Sequence, residues 1–435
     1  MLVEMNPISM IIIVVLCAGT AWVAHIGAAV FHDGLRPVIP EFLEGRMKRP
    51  ELGSVAFGLS VGFIASVGIS FTLTTGILNP WLLFLSTDII GILAPKKWLA
   101  PILGGIWGAL ALTSLTVLNN VLTGFPVDMI GAMGELSGPV VSGFALFPLV
   151  AIFLQFGWKK GVAASVITLI VRQLVVVFTD IFPESIQIFV GMILLVAFAV
   201  ANDIKEKAEK PADSAAMTNV LTERTARIRK NAPWLMAVGG LIAVAANIGI
   251  FAGSEVSIFV LAEAAAAEGA AQTALVNQAA MAEFMRGLGF IPLIATTAIT
   301  TGVYGVAGLT FVYVVGYLSP NPVVALVGGA VVIFVEIMLL NVIGRGLGKF
   351  PSMRAASDNI RSAMITVMEF ALLIGSISAV IAMGGFTGFF IGGLIYLVNE
   401  LTGRRIMRMA IGPAAAISTG IILNILHLIG LFPIV

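Results

Sequence analysis

The sequence predicts an all-α, polytopic transmembrane helix bundle, and three observations lead there. Hydrophobic residues are 59% of the 435 and charged residues only 11%, with a mean hydropathy of +1.06. A soluble domain of this size charges roughly a quarter of its residues, so this chain cannot coat itself for water. Its apolar residues gather in runs near the ~20 residues of a helical bilayer crossing. Its charges fall in short clusters between those runs.

Taken in order, the predicted spans are Ile8–Val30, Val55–Ile77, Pro80–Ala94, Trp98–Leu122, Pro139–Phe156, Val162–Phe178, Ile186–Ala201, Trp234–Phe251, Pro322–Val342, Ala363–Met383, Phe386–Leu397 and Ile411–Phe432. Met1–Pro7 has no basic leader, so the first run reads as a span rather than a signal peptide. A further apolar stretch, Gly287–Tyr317, is interrupted by Pro292, Gly302, Gly305 and Gly308. Basic clusters recur at Arg36–Arg49, Lys96–Lys97, Lys159–Lys160, Lys205–Lys230, Arg345–Arg361 and Arg404–Arg408. All of them reach one side of a membrane only if Gly287–Tyr317 enters and leaves by the same face. The expected topology is therefore about twelve crossings plus a re-entrant hairpin at 287–317, with both termini outside the cytoplasm. Residues 202–233 mix both signs and read as a cytoplasmic connector between membrane halves 1–201 and 234–435.

Two halves around a connector suit a transporter, often one with inverted repeats. The sequence offers one weak echo. Glu135 and Glu283 each precede a Pro-interrupted apolar run, at Phe147-Pro148 and Ile291-Pro292.

Polar groups at membrane depth are costly, so they nominate the site. Ser70 and Thr72 sit in a hydroxyl-rich stretch, Ser70-Phe-Thr72-Leu-Thr74-Thr75-Gly76, read either as a solute contact or as interhelical packing. Ser254, Glu255 and Ser257 follow the Gly253 that ends a span. Glu283 and Arg286 stand at the hairpin mouth, where Arg286 can hold a carboxylate or phosphate bidentately or simply pair with Glu283. Thr296, Thr297, Thr300 and Thr301 place hydroxyls near an expected helix break. Asp88, Glu135 and Glu369 are the candidates for a coupling ion, with Glu336 a weaker one. Arg172 needs an acidic partner, for which Asp88 or Glu135 would serve. His32-Asp33-Gly34-Leu35-Arg36-Pro37 reads as an interfacial loop capping the first span. His25 and His427 are isolated, and Cys17 is the single cysteine.

No metal set, P-loop, H-E-x-x-H or paired cysteine is present in the sequence, so no cofactor is expected. The formal charge of +1 gives no basic surplus for nucleic acid.

Four stretches resemble the YhfT family of predicted bacterial inner-membrane proteins: Ala29-Val-Phe-His-Asp-Gly-Leu-Arg-Pro37, Gly53-Ser-Val-Ala-Phe-Gly-Leu-Ser60, Ala282-Glu-Phe-Met-Arg-Gly-Leu-Gly-Phe290 and Tyr317-Leu-Ser-Pro-Asn-Pro322. The similarity covers the whole chain. It implies an inner-membrane transport protein without an assigned substrate. The family's gene neighbours resemble pyridoxal-phosphate enzymes, a phosphotriesterase and a phosphopentomutase, which suits an amino-acid or sugar derivative. It supplies no site residues. The functional expectation is a secondary transporter for a small polar solute, coupled to protons or Na⁺, working as an elevator in a homodimer within the lipid bilayer. The alternatives are a membrane-embedded enzyme acting on a lipid-linked substrate, and a channel or scaffold.

Overall fold

The computed structural model describes residues 7–179, 182–207, 215–255, 257–347 and 351–433, so part of the expected connector, 208–214, lies outside the described residues. The protein is a multi-pass membrane protein built from α-helices. Among the described residues, eight helical stretches are long and apolar enough to cross a membrane, and Pro80–Leu93, Ala232–Asn247 and Ser257–Ala266 are shorter apolar helices. The first half runs α1 (Pro7–His25), β1 (Ala29–Val30), α2 (Ile39–Leu43), α3 (Arg49–Phe63), a π-turn (Ile64–Gly68), α4 (Ile69–Thr75), α5 (Pro80–Leu93), α6 (Leu99–Thr123), α7 (Met129–Gly134), α8 (Ser137–Phe144), α9 (Phe147–Phe178) and α10 (Pro183–Lys207). The second runs α11 (Ala215–Lys230), α12 (Ala232–Asn247), α13 (Ser257–Ala266), α14 (Gly269–Thr301), β2 (Tyr304–Gly305), α15 (Phe311–Leu318), α16 (Pro322–Leu347), α17 (Pro351–Leu401) and α18 (Arg408–Leu428).

Each expected span is helical over most of its length, but Ile8–Val30 runs past the end of α1 into β1 and Pro139–Phe156 is broken between α8 and α9. The expected gap before Val162 and the one before Phe386 are sharp reversals. Gly157 has φ +79° inside α9, and Gly384–Gly385 leave helical geometry inside α17. A Cβ on Gly161 would run into the Phe153 ring, and one on Gly388 into the Val380 carbonyl, so each chain folds straight back on itself.

The α1–α6 and α12–α16 segments are two copies of one motif. After α1, the amides of Ile26, Gly27 and Ala28 donate to Trp22, Ala24 and Val23; after α12, those of Ile248, Gly249 and Ile250 donate to Val244, Ala246 and Ala245. Gly27 and Gly249 both take a left-handed conformation, φ +64° and +74°, that a side chain would resist. Later in each copy, Thr74-Thr75-Gly76 and Thr300-Thr301-Gly302 end a helix in the same way. The glycines have φ +71° and +70°, and the threonine hydroxyls accept from Ile77 N (3.3 Å) and Val303 N (3.2 Å). The copies then exchange partners. Leu78 N donates to Ile250 O, and Tyr304 N to Ala28 O, which makes the Leu78–Phe251 bridge and the parallel β1–β2 pair.

The copies are inverted. Trp22 meets Trp234 (5.7 Å between rings), a Cβ on Gly19 would touch Val238, and Ile12 packs on Ala243 and Val244. The start of α12 thus lies at the end of α1. Small residues bring the helices close in both copies, Gly104 against the Cys17 carbonyl and Gly240 against the Leu326 carbonyl. The repeat's register is not that of the Glu135–Glu283 echo, since Glu283 lies in the second copy while Glu135, at the end of α7, lies outside the first.

Connector helix α11 defines one face. Arg227 donates to Gly27 O (2.7 Å) and Arg224 to Thr300 O, and His25 Nδ1 at the end of α1 lies 2.9 Å from Gly91 O near the end of α5. The ends of α1, α14 and α5 therefore gather there. The ends of α12 and α15 gather opposite, where Asn247 donates to Gly316 O and Ser319 O. Gln272, near the start of α14, and Tyr317, near the end of α15, line one cavity on that opposite face. The 269–318 unit thus enters and leaves on one side. The hairpin differs from the expected one in that α14 starts at Gly269 and runs unbroken through Pro292. The chain unwinds only at Gly302–Thr310.

The remaining helices α7–α10, α17 and α18 form a second block beside this repeat core. Gly143 packs on Ala371, Gly420 on Met129, and Asn424 accepts from Val127 N (3.0 Å). Phe144, Phe147 and Phe290 pack ring against ring across the seam to α14.

Candidate functional site

Unwound backbone survives at membrane depth only when its polar groups are met by protein. Each break here has its anchor. Asp88, 0% exposed in the middle of α5, accepts from the amides of Phe31 (2.9 Å) and His32 (3.0 Å). Glu336 in α16 accepts from Leu309 N (2.8 Å) and Tyr304 Oη (2.7 Å). Tyr317 Oη accepts from Gly253 N (2.7 Å), and Thr72 Oγ1 from Asn79 N (3.1 Å). These groups hold the fold of the breaks.

Where the breaks converge, a buried charged cluster forms. Glu283 Oε1 accepts from the hydroxyls of Ser254 and Ser257, the latter at 2.6 Å. Arg286 Nη1 lies 3.5 Å from Glu283 Oε2, and its Nε 3.8 Å from Glu255 Oε1. Trp81 Nε1 donates to Glu255 Oε2 (3.4 Å), and the Arg286 guanidinium stacks over Phe290 (4.7 Å). Two carboxylates face one guanidinium, all buried.

A narrow cavity of about 80 Å³ adjoins the cluster. Asp33, Arg36, Trp81 and Arg286 line it with the Gly305–Gly308 segment, and so does Arg361 of α17, which pairs with Asp358 at 3.0 Å. Arg36 and Asp33 pair at 2.5 Å. In the repeat, His32-Asp33 occupies the place of Ser254-Glu255, since Gly27 matches Gly249. The first copy presents one acid with one arginine, Asp33 with Arg36, and the second presents two acids with one, Glu255 and Glu283 with Arg286. The cavity opens on the seam between repeat core and second block.

Five sequence-nominated residues come together here: Ser254, Glu255, Ser257, Glu283 and Arg286. The others lie elsewhere. Ser70 is buried in α4, and no hydrogen-bond partner for its hydroxyl is found among the described residues. Thr296, Thr297 and Thr300 donate to carbonyls four residues back, of Pro292, Leu293 and Thr296, because α14 does not unwind there. Glu135 is exposed at a helix end. Glu369 is 34% exposed and lies 4.0 Å from Arg408. Arg172 pairs with Glu184 at 3.2 Å rather than with Asp88 or Glu135. The reading of His32–Pro37 as an interfacial loop is corrected: His32 and Arg36 are buried, because β1 turns the chain back into the bundle. The signal that could have shown this is the match of His25-Ile-Gly27 to Asn247-Ile-Gly249.

These features define a multi-pass membrane protein with an inverted internal repeat and a charged cavity at its crossing point. A family model described as "YhfT: Protein of unknown function" matches residues 9–432, and the chain belongs to that family. It is 56% identical over 428 residues to uncharacterized protein YhfT of Escherichia coli (strain K12), covering 98% of each chain. No solved structure matches it significantly.

Proposed function

We propose that the protein is a secondary transporter that carries a small polar solute across the bacterial inner membrane. The inverted repeat, with a buried charged cavity where its breaks cross, is the observation that supports this most. Paired inverted repeats give two related conformations that open to opposite sides, and broken helices place backbone and charge around a central solute. The α11 face, with its basic side chains, is cytoplasmic in this reading. The cavity's position on the seam suits movement of the repeat core against α17 and its block, an elevator-like motion in which the block serves as the dimer scaffold.

The coupling ion sits at Glu255 and Glu283. Two buried carboxylates with one arginine leave a formal charge of −1, and an uncompensated buried charge is strongly unfavourable. A proton or Na⁺ taken up there with the solute balances it.

The test is accessibility of single cysteines at Ala307 and Met364 in a Cys17-free background. Impermeant thiol reagents should reach these positions from either face of oriented vesicles, with solute or ion gradients shifting the ratio. Labelling from one face under every condition would contradict alternating access. Uptake that never saturates would instead indicate a channel.

A further inference from the structure

We infer that the transported solute bears an oxyanion, a carboxylate or a phosphate, and that Arg36 and Arg286 bind it together across the two repeats. This rests on the transporter reading and names its substrate class. Arg36 is 2% exposed and Arg286 6%. A buried guanidinium stays charged and presents five N–H donors. The Arg36 pairing with Asp33 uses Nη2 alone. Its Nε and Nη1 have no hydrogen-bond partner among the described residues, and Nε of Arg286 has only the 3.8 Å ion-pair approach of Glu255 Oε1. Leaving such donors buried and unpaired is costly, and more so for charged groups. Asp88, Asp203 and Glu336, also deeply buried, already accept from backbone amides.

Both guanidiniums border the same cavity, and so does Thr310. The Thr310 hydroxyl is likewise buried without a partner among the described residues. The opposing edge is glycine backbone. A Cβ on Gly305 would stand 2.9 Å from Arg36 Nη2, so only glycine lets the guanidinium lie there. An acceptor with several lone pairs at one centre satisfies two forked donors at once, which is the geometry of Arg with carboxylate or phosphate. A hydroxyl or an ammonium does not. Asp33 and Glu255 keep each arginine in place while the cavity is empty, and Arg361 on α17 lies where it can close over the anion.

The experiment uses the full-length protein in detergent, with thermal stabilisation and calorimetric binding as readouts. The probes are inorganic phosphate, glycerol 3-phosphate and glycerate, with glycerol as the neutral control. At least one anion should stabilise the protein saturably while glycerol does not, and phosphate-bearing against carboxylate-bearing probes decide the anion type. Arg36→Gln and Arg286→Gln should each weaken that binding about tenfold or more, the scale of a lost charge-assisted hydrogen bond. Because Arg36→Gln strands Asp33, the paired variant Asp33→Asn with Arg36→Gln provides a folded background, and it should show the same loss. Stabilisation by glycerol equal to that by the anions, no anion effect at all, or anion binding unchanged in both single variants and in the paired variant overturns the inference. Proteoliposome flux separates the two levels. Gradient-driven flux of a neutral solute sinks the anion assignment and leaves the transporter standing. Arginine-dependent anion binding without any flux does the reverse.

Discussion

The most direct test of how the breaks are held is Asp88. One carboxylate oxygen, Oδ2, takes both amides of the first break, Phe31 at 2.9 Å and His32 at 3.0 Å. The other oxygen, Oδ1, is buried without a hydrogen-bond partner among the described residues. Asp88→Asn can keep both bonds by placing its carbonyl where Oδ2 stands. The cost is then an amide group left unpaired in place of Oδ1, about 1–3 kcal/mol, offset by no longer burying a charge. Asp88→Leu removes both acceptors. Two hydrogen bonds to a charged group, at about 1.5–3 kcal/mol each, amount to ~3–6 kcal/mol before the same offset. Unfolding of the purified protein by SDS titration should therefore rank wild type, Asn and Leu in falling order, with Leu at least ~2 kcal/mol below Asn. Labelling of a cysteine at Val30 should rise in Leu alone as the break loosens. If Leu proves as stable as Asn, and the break stays protected, then Asp88 does not hold the segment and its carboxylate is free for another role.

Gly249→Ala meets open space, so it should cost only the left-handed strain of about 1–2 kcal/mol. Gly27→Ala would also press on Ile39 and Arg227 at 3.1–3.2 Å and should cost more; equal effects in SDS unfolding would contradict that crowding. Glu283→Gln keeps an acceptor for Ser254 and Ser257 but removes one charge, so solute uptake should lose its proton or Na⁺ dependence while binding persists; unchanged ion dependence would move the coupling elsewhere. Reporter fusions after Val435 should read outside the cytoplasm and fusions within 202–233 inside; a cytoplasmic C-terminus would refute the even crossing number.

The span pattern was legible because it rests on hydrophobic length, which the bilayer dictates. Gly157 and Gly384–Gly385 were readable as reversals for the same reason: too much apolar chain for one crossing. The cluster at Glu255, Glu283 and Arg286 was legible because charges at depth are rare. The threonines of α14 misled. Thr296 and Thr300 lie near Pro292 and Gly302, which suggested unwinding, but a Thr hydroxyl is as well satisfied by its own helix, four residues back. Arg36 was missed because a charge cluster beside Pro37 looks the same in a surface loop and in a re-entrant one. The long-range β1–β2 pairing, which brings Ala29 to Tyr304, distinguishes them, and its trace in the sequence is the match of His25-Ile-Gly27 to Asn247-Ile-Gly249.

Accounting for backbone amides separates the polar residues by role more sharply than burial does. Asp88, Glu336, Tyr317 and Thr72 are each engaged by an unwound segment. Removing any of them strands an amide, so they would be intolerant of change even in a protein that moved nothing. Arg36 and Arg286 are as deeply buried and, like Asp88 and Glu336, keep side-chain atoms without a hydrogen bond among the described residues, but as pure donors they can anchor no amide of a break. Packing gains nothing from such groups, since an apolar side chain of equal size would fill the space at no electrostatic cost. Their unused capacity converges on one cavity, at the crossing of two inverted copies and against a helix block outside both. A rigid scaffold gains nothing from placing unsatisfied charge on that seam. A carrier does, because the incoming solute completes the arginines' hydrogen bonds and the cation taken up with it offsets the negative charge before the core moves.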